Sequence, residues 1–437
     1  MSAASVVIIG VLLLIVFLVI GIPIPFAFSG VTIVLVLLLG YSPDFLIPAS
    51  YNKLNTLVLL CIPLFIIAGA IIREGKIGDA LIGFVEQFIG RFKTGLGTVT
   101  VLVCAIFGAI SGSSSATLSS VGSIMAPKLE ERGYPRGVIA ALLASSSVLG
   151  LLIPPSTAQI LYAWASGTSV LACFLATIVP GLIVAFLFCV VQHFQVRNLK
   201  SIQELASPKM DMHFGHVMKR TCNAVPALLM PVIILGGIYG GFLTTVEAAA
   251  VAAVYCVPVA LFVYRGIKIR DLWPTMVEAG YNCGAISMML MSCGILSRIF
   301  TTERVPDMLV EVTMSITSDK TLILLLINLV MIILGMLMDD GSAIVLSTPL
   351  LLPIATSIGV DPVHYAAIMG INLGMGLVTP PCAPMLYLGA QVGRSPVNEA
   401  FKPTMQYILF AWLPTLVLVT FVPSLSLWLP RTVLGIG

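Results

Sequence analysis

The chain has 437 residues, 59% of them hydrophobic and 9% charged, with a formal net charge of +3. So few charged side chains cannot clothe a water-facing globule, and so small a positive excess, scattered over short loops, offers no nucleic-acid-binding surface. The composition is that of an all-α polytopic protein embedded in a lipid bilayer.

The chain opens on an apolar run without a basic leader or an A-x-A cleavage site, which reads as a first membrane helix and not a signal peptide. A crossing needs roughly 20 apolar residues, and on that measure the first half holds spans near 5–21, 24–40, 55–72, 137–165 and 169–192. Segment 97–127 is interrupted by the polar run Ser111 to Ser115. Its arms are too short to cross singly, which predicts a re-entrant helical hairpin with its tip covered by protein or by a water-filled cavity. Segments 74–95 and 303–318 carry Ile77, Leu81, Phe84, Phe88 and Val305, Met308, Val312 at helical spacing beside charged positions, the pattern of interfacial amphipathic helices. Between the halves, Gln192 to Ala224 is a long polar stretch with His193, His213 and His216, at spacings that match no metal-ligand motif. The second half repeats the order, with spans near 225–240, 244–264, 275–298, 362–392 and 404–430 and a hairpin at 321–356 whose tip lies near Asp339 to Ser342. The nine cysteines form no CxxC pair and sit mostly in apolar runs, as small core residues.

Two matched breaks are the most informative feature. Gly108 aligns with Gly335, Pro127 with Pro353, Gly133 with Gly359, and Pro154-Pro155 with Pro380-Pro381. This predicts a first repeat over 1–195, a cytoplasmic linker over 196–224 and a second repeat over 225–437. Five spans per half is an odd number, so the second repeat is expected to enter the membrane inverted. With the first terminus outside, seventeen Lys and Arg fall on the cytoplasmic side against five on the other, which orients both termini outward.

Broken helices leave backbone groups unpaired inside the membrane, and matched breaks in two halves point to a transporter's binding site. Carbonyl and hydroxyl oxygens there suit a hard cation such as Na+, and half-helix N-termini suit a carboxylate. The first break offers Ser111, Gly112, Ser113, Ser114, Ser115 and Thr117, then Gly150, Ile153, Pro154, Pro155, Ser156 and Thr157. The second offers Gly335, Asp339, Asp340, Gly341 and Ser342, then Asn372, Gly376, Thr379, Pro380, Pro381 and Cys382. Ser111, Ser115, Ser156, Thr157, Asp339, Asp340 and Ser342 are the candidate substrate contacts. Serines also pack helices together, and Asp339 and Asp340 also suit a helix cap. Arg298 either snorkels to the outer surface or meets an anionic substrate, and Glu247, after Thr244-Thr245, reads as a cap. A channel with re-entrant loops fits the inverted repeat less well, and for a hydrolase the serines at 111–115 have no intramembrane His partner.

Taken in order, IPLFIIAG at 62–69, SGSSSAT at 111–117, LGLLIPPS at 149–156, GGIYGGFLTTVEAAA at 236–250, and Gly359-Val360-Asp361-Pro362 followed by NLGMGLVTPP at 372–381 resemble the large membrane (M, DctM-like) subunit of the tripartite ATP-independent periplasmic, or TRAP, transporters. The resemblance covers essentially the whole chain. It implies an elevator-type ion-transporter fold and a bacterial inner-membrane symporter, not an enzyme, that couples a Na+ gradient to import of an organic acid such as a sialic acid, another sugar acid or a C4-dicarboxylate. It also implies two partners, a small four-helix membrane subunit (Q) and a periplasmic substrate-binding protein (P), and no organic cofactor. Carried over by motif, one Na+ site falls on Ser113, Ser114, Gly150, Ile153 and Pro155, and the other on Gly335, Gly376, Thr379 and Cys382. Cys382-Ala383 stands where many relatives have Val-Gly. The alternatives are a stand-alone Na+/anion symporter of a related elevator family or an ion channel.

Overall fold

The computed structural model describes residues 3–89, 95–197, 199 and 214–435. Every regular element among them is helical. The first half runs α1 (Ala3–Val19), α2 (Ile24–Leu39), α3 (Pro43–Leu54), a 3-10 turn at Leu57–Leu60, α4 (Cys61–Glu74), α5 (Ile77–Ile89), α6 (Gly95–Ser111), α7 (Ser114–Glu131), α8 (Arg136–Ser147) with a 3-10 extension to Leu151, α9 (Thr157–Ser166) and α10 (Val170–Val196). The second runs α11 (Phe214–Tyr239), α12 (Thr245–Pro258), α13 (Ile269–Thr302), α14 (Val305–Ile316), α15 (Lys320–Leu337), α16 (Asp340–Ser357), α17 (Pro362–Val378), α18 (Pro384–Val392), α19 (Val397–Tyr407), α20 (Leu413–Phe421) and α21 (Ser424–Leu434).

Among the described residues seven helical stretches are long and apolar enough to cross a membrane: Leu57–Glu74, Val170–Val196, Arg220–Tyr239, Thr245–Val263, Ile269–Thr302, Lys320–Leu337 and Val397–Phe421. Several of the ten predicted spans are shorter or divided. Those at 137–165 and 362–392 are each two helices, because Pro154-Pro155 and Pro380-Pro381 supply no N–H and cannot continue a helix. The 404–430 span is likewise divided, at Val422 and Pro423. Helix α3 was not expected from the apolar pattern; Ser42 caps it, its side chain accepting from the Asp44 N–H at 3.2 Å. The amphipathic segments are α5 and α14. Part of the predicted linker, from Phe214 onward, is the start of α11, while residue 198 and residues 200–213, with His213, lie outside the described residues.

Large apolar side chains such as Leu37, Phe186, Phe242, Val254, Phe262 and Leu322 stand exposed. Lipid tails solvate such side chains at no cost, so the exterior of a membrane bundle is as apolar as its interior. Inside, α4 packs on α12 and α13, α6 on α7 and α8, α15 on α16 and α17, and α8 on α18 and α19. Small residues permit the closest approaches. A Cβ added to Gly108 would stand 2.6 Å from Gly150 Cα, and one added to Gly376 would stand 2.7 Å from Gly335 Cα. Beyond the ends of α2 and α13, Tyr41 Oη donates to Glu303 Oε1 at 2.5 Å, and that bond to a carboxylate pushes the phenol pKa up to about 12. Glu247 completes a capping box with Thr244, accepting from the Thr244 N–H at 2.7 Å while Thr244 Oγ1 accepts from the Glu247 N–H at 3.3 Å. Of the nine cysteines, Cys61, Cys104, Cys173, Cys256 and Cys293 are buried and Cys222 and Cys382 are exposed.

Candidate transport site

At the first break, Ser111 ends α6 and Gly112 turns the chain with φ +63°, a conformation that side chains disfavour. Ser113 then caps α7, its hydroxyl accepting from the Ala116 N–H at 3.5 Å. The turn is tied to the first turn of α9, where the Thr157 N–H and Oγ1 donate to the Gly112 carbonyl at 3.1 and 2.8 Å. Within it, Thr117 Oγ1 donates to the Ser113 carbonyl at 2.8 Å and lies 3.0 Å from Ser111 Oγ. The Pro155 carbonyl comes within 3.0 Å of where a Gly112 Cβ would be, and the Ser113 carbonyl within 3.4 Å of a Gly150 Cβ. Carbonyl oxygens therefore line the seam between the α6–α7 turn and the break before α9. In α7, in α8 and just before α9 the hydroxyls of Ser114, Ser145, Ser146 and Ser156 are buried without a hydrogen-bond partner. Unsatisfied buried oxygens are costly, and oxygen-only donors of this kind fit a small hard cation.

The second break is built differently. Asp339 caps α16, its Oδ2 accepting from the Ser342 N–H at 3.2 Å, and Ser342 Oγ donates to Asp339 Oδ1 at 2.5 Å. Asp340 follows half-buried in the first turn, whereas the first turn of α7 contains no acid. Between α15 and α17, Gly335 and Gly376 touch; Thr379 Oγ1 donates to the Met375 carbonyl at 2.6 Å, and Ala383 takes φ +32°. Asn372 Nδ2 donates to Asn328 Oδ1 at 2.9 Å, Asn328 Nδ2 donates to Thr420 Oγ1 at 3.0 Å, and Asn372 Oδ1 is buried without a partner. Replacing Asp339 with alanine removes the cap and is expected to cost about 1 kcal/mol, read as a lower melting temperature; Asp339→Asn keeps the cap and should melt near the parent.

A cavity of about 380 Å³ joins the two breaks. Ser111, Ser113, Ser115 and Thr157 line it from the first, Asp339, Asp340 and Gly341 from the second. Ser156 and Ser342 are fully buried behind these walls. Arg298 stands exposed on α13, and the guanidinium that lines the cavity is Arg73. Gly335, Gly376, Thr379 and Cys382 lie at the α15–α17 contact and in the break that follows it, with Cys382 exposed. The remaining walls come from α4 (Ile62, Ile66, Gly69) and α13 (Glu278, Asn282, Met289). Glu278 and Asn282 are additions to the predicted set. Glu278 had a legible signal, a carboxylate inside the apolar stretch 275–298, by the rule that singled out Asp339. Among the described residues no group of three or more His, Cys, Asp and Glu is placed to hold a metal ion.

Residues 11–425 match the family described as the DctM component of the tripartite ATP-independent periplasmic transporters. The chain is 34% identical over 394 residues to the C4-dicarboxylate TRAP transporter large permease protein DctM of Pseudomonas aeruginosa, covering 90% of this chain and 91% of that one. It is 32% identical over 385 residues to the isethionate TRAP transporter permease protein DctMQ of Oleidesulfovibrio alaskensis, covering 88% of this chain and 60% of that longer one. Its fold is similar to the crystal structure of the Alcanivorax borkumensis YdaH transporter, with a TM-score of 0.62 at 16% identity, over 86% of this chain and 87% of that chain.

Proposed function

We propose a function from one premise: the chain belongs to the DctM component family of the tripartite ATP-independent periplasmic transporters. On our reading it is the large permease of a Na+-coupled symporter that imports a small organic anion by an elevator movement. The cavity shared by both breaks is the observation that carries this reading, because transporters built from repeats typically bind their solute between broken helices of the two halves. The first turn of α7, free of acids, is the better seat for an anionic head, since the helix dipole and free N–H groups favour negative charge. The unpartnered hydroxyls of Ser114 and Ser156, with the nearby Ser113 and Pro155 carbonyls, support one Na+ site; the Gly335–Gly376 contact and the adjoining Thr379 and Cys382 are our second.

The Lys and Arg distribution supports an orientation in which α6–α7 enters as a hairpin from the cytoplasm and α15–α16 from the opposite face of a bacterial inner membrane, the halves 1–195 and 225–437 being inverted repeats. C4-dicarboxylate and isethionate, for which two relatives are named, are both small organic anions, so we assign this chain an organic acid, a class that includes sialic and other sugar acids. The DctMQ relative supports a small Q subunit as membrane partner, and the family name a periplasmic binding protein.

Reconstitution tests this. Liposomes holding the chain with its small subunit, supplied with binding protein and a candidate acid, are expected to accumulate the acid only with an inward Na+ gradient. Accumulation without Na+ would refute the coupling, and full accumulation without the small subunit would leave a stand-alone symporter.

A further inference from the structure

Arg73 and Glu278 form an ion pair within the cavity that the site residues leave unexplained. Arg73, in the last turn of α4, donates through Nη2 to both carboxylate oxygens of Glu278 at 2.8 Å, and through Nε to Glu74 Oε1 at 3.0 Å. Among the described residues its Nη1 makes no hydrogen bond. The pair spans two helices that each trace the cavity wall: Arg73 lies one turn beyond Gly69, whose Cα faces Ser111, and Glu278 lies one turn before Asn282. Along α13 the pair is roughly 16 Å from Met289, at 1.5 Å per residue, and Met289 Sδ touches Ser342 beside the second break. A small acid cannot contact that end and this one at once.

Charge makes the position pointed. Among the described residues the charged side chains lining the cavity are Arg73, Glu278, Asp339 and Asp340, one cation against three carboxylates. Arg73 is the lining cation that a departing anion could pair with, and its guanidinium is already engaged by two Glu side chains. The side chains of Arg73 and Glu278 are 28% and 54% exposed. A pair this wet contributes little net stability and is exchangeable for another oxyanion, and guanidinium forks bind carboxylate and sulfonate oxygens in the same way.

We propose that Arg73, which the orientation above puts at the cytoplasmic end of α4, is the release-side anion contact of this permease, and that Glu278 is an internal stand-in for the solute's anionic head, occupying the guanidinium until the departing solute displaces it. The proposal rests on the organic-anion reading above and adds the residue pair that handles the anion at the cavity mouth. A structural brace between α4 and α13 would need only that the two charges be opposite; a displaceable stand-in needs the cation on α4.

Acetate tests it without knowledge of the solute or of coupling. In the full chain with Glu278→Gln, replacing sodium chloride by sodium acetate at equal ionic strength is expected to raise the melting temperature by roughly 2 °C or more, by preferential binding to the native state. Arg73→Gln/Glu278→Gln should show no such rise. No rise in Glu278→Gln, or the same rise in the double variant, overturns the proposal. In liposomes, the charge reversal Arg73→Glu/Glu278→Arg is expected to restore the melting temperature lost in Arg73→Glu but not uptake; recovery of uptake to within about two-fold of the parent marks a brace and overturns it as well. If the parent carries no acid at all, the transport reading fails while the acetate comparison still decides the fate of the pair.

Discussion

Gly376→Ala is expected to reduce Na+-driven uptake by at least about ten-fold and to lower the melting temperature, an overpacking cost of about 1–3 kcal/mol. The added Cβ would stand 2.7 Å from Gly335 Cα and 2.8 Å from both Gly335 C and the Ile332 carbonyl oxygen. All three are backbone atoms, so no side chain can swing aside and α15 must move off α17. That movement displaces the α15–α16 turn, with Asp339 and Asp340, from the cavity it lines. Gly108→Ala repeats the experiment at the first break, where the methyl would meet Gly150 Cα at 2.6 Å and Gly150 N at 2.9 Å. Gly83 on α5 is the control, because nothing lies within 4 Å of its added Cβ. There alanine should stabilise by about 0.5–1 kcal/mol through lower backbone entropy in the unfolded chain. Uptake and melting temperature of Gly376→Ala matching those of Gly83→Ala would show that the close approach is dispensable.

Ser114→Ala separates stability from function in the opposite sense. The Ser114 hydroxyl is buried without a hydrogen-bond partner, a state that costs about 1–3 kcal/mol when no ligand satisfies the oxygen. Removing it should leave the melting temperature without Na+ unchanged or slightly higher. If the same oxygen is a Na+ ligand, its loss raises the half-saturating Na+ concentration for uptake, and 1.4 kcal/mol of lost binding is about a ten-fold rise. Uptake titrated against Na+ in liposomes, paired with melting curves in choline and in sodium, reads both quantities. An unchanged Na+ dependence would remove Ser114 from the ion site.

Local chemistry explains what could be read in advance. Pro154-Pro155 and Pro380-Pro381 stop helices wherever the chain places them, Ser113 and Asp339 are strong N-caps, and apolar runs of membrane length have few alternatives to helix. The two helix pairs α6–α7 and α15–α16 accordingly break close to the predicted tips. Helix α3 escaped because its twelve residues carry no apolar run of crossing length, and its N-terminal signal, Ser42 before Pro43, is short.

The lining of the candidate site was legible in part for the same reason. Ser111, Ser115, Thr157, Asp339 and Asp340 betray themselves as polar groups inside apolar segments, and all five line the cavity. Ser156 and Ser342 are equally polar and lie within two residues of Thr157 and Asp340, yet they are fully buried. Arg298 and Arg73 both sit in helices long and apolar enough to cross, and only Arg73 reaches the cavity.

By itself, then, the sequence determined that this is a helical membrane protein with two matched breaks, and where each break falls, because helix length, proline and capping are decided by residues within a turn or two of one another. Tertiary structure decided which polar groups share one cavity, that Gly108 meets Gly150 and Gly335 meets Gly376, and that Arg73 pairs with Glu278 from 205 positions away. In segments apolar on every side no amphipathic stripe marks the inward face, so these partners are chosen by how helices distant in sequence pack together.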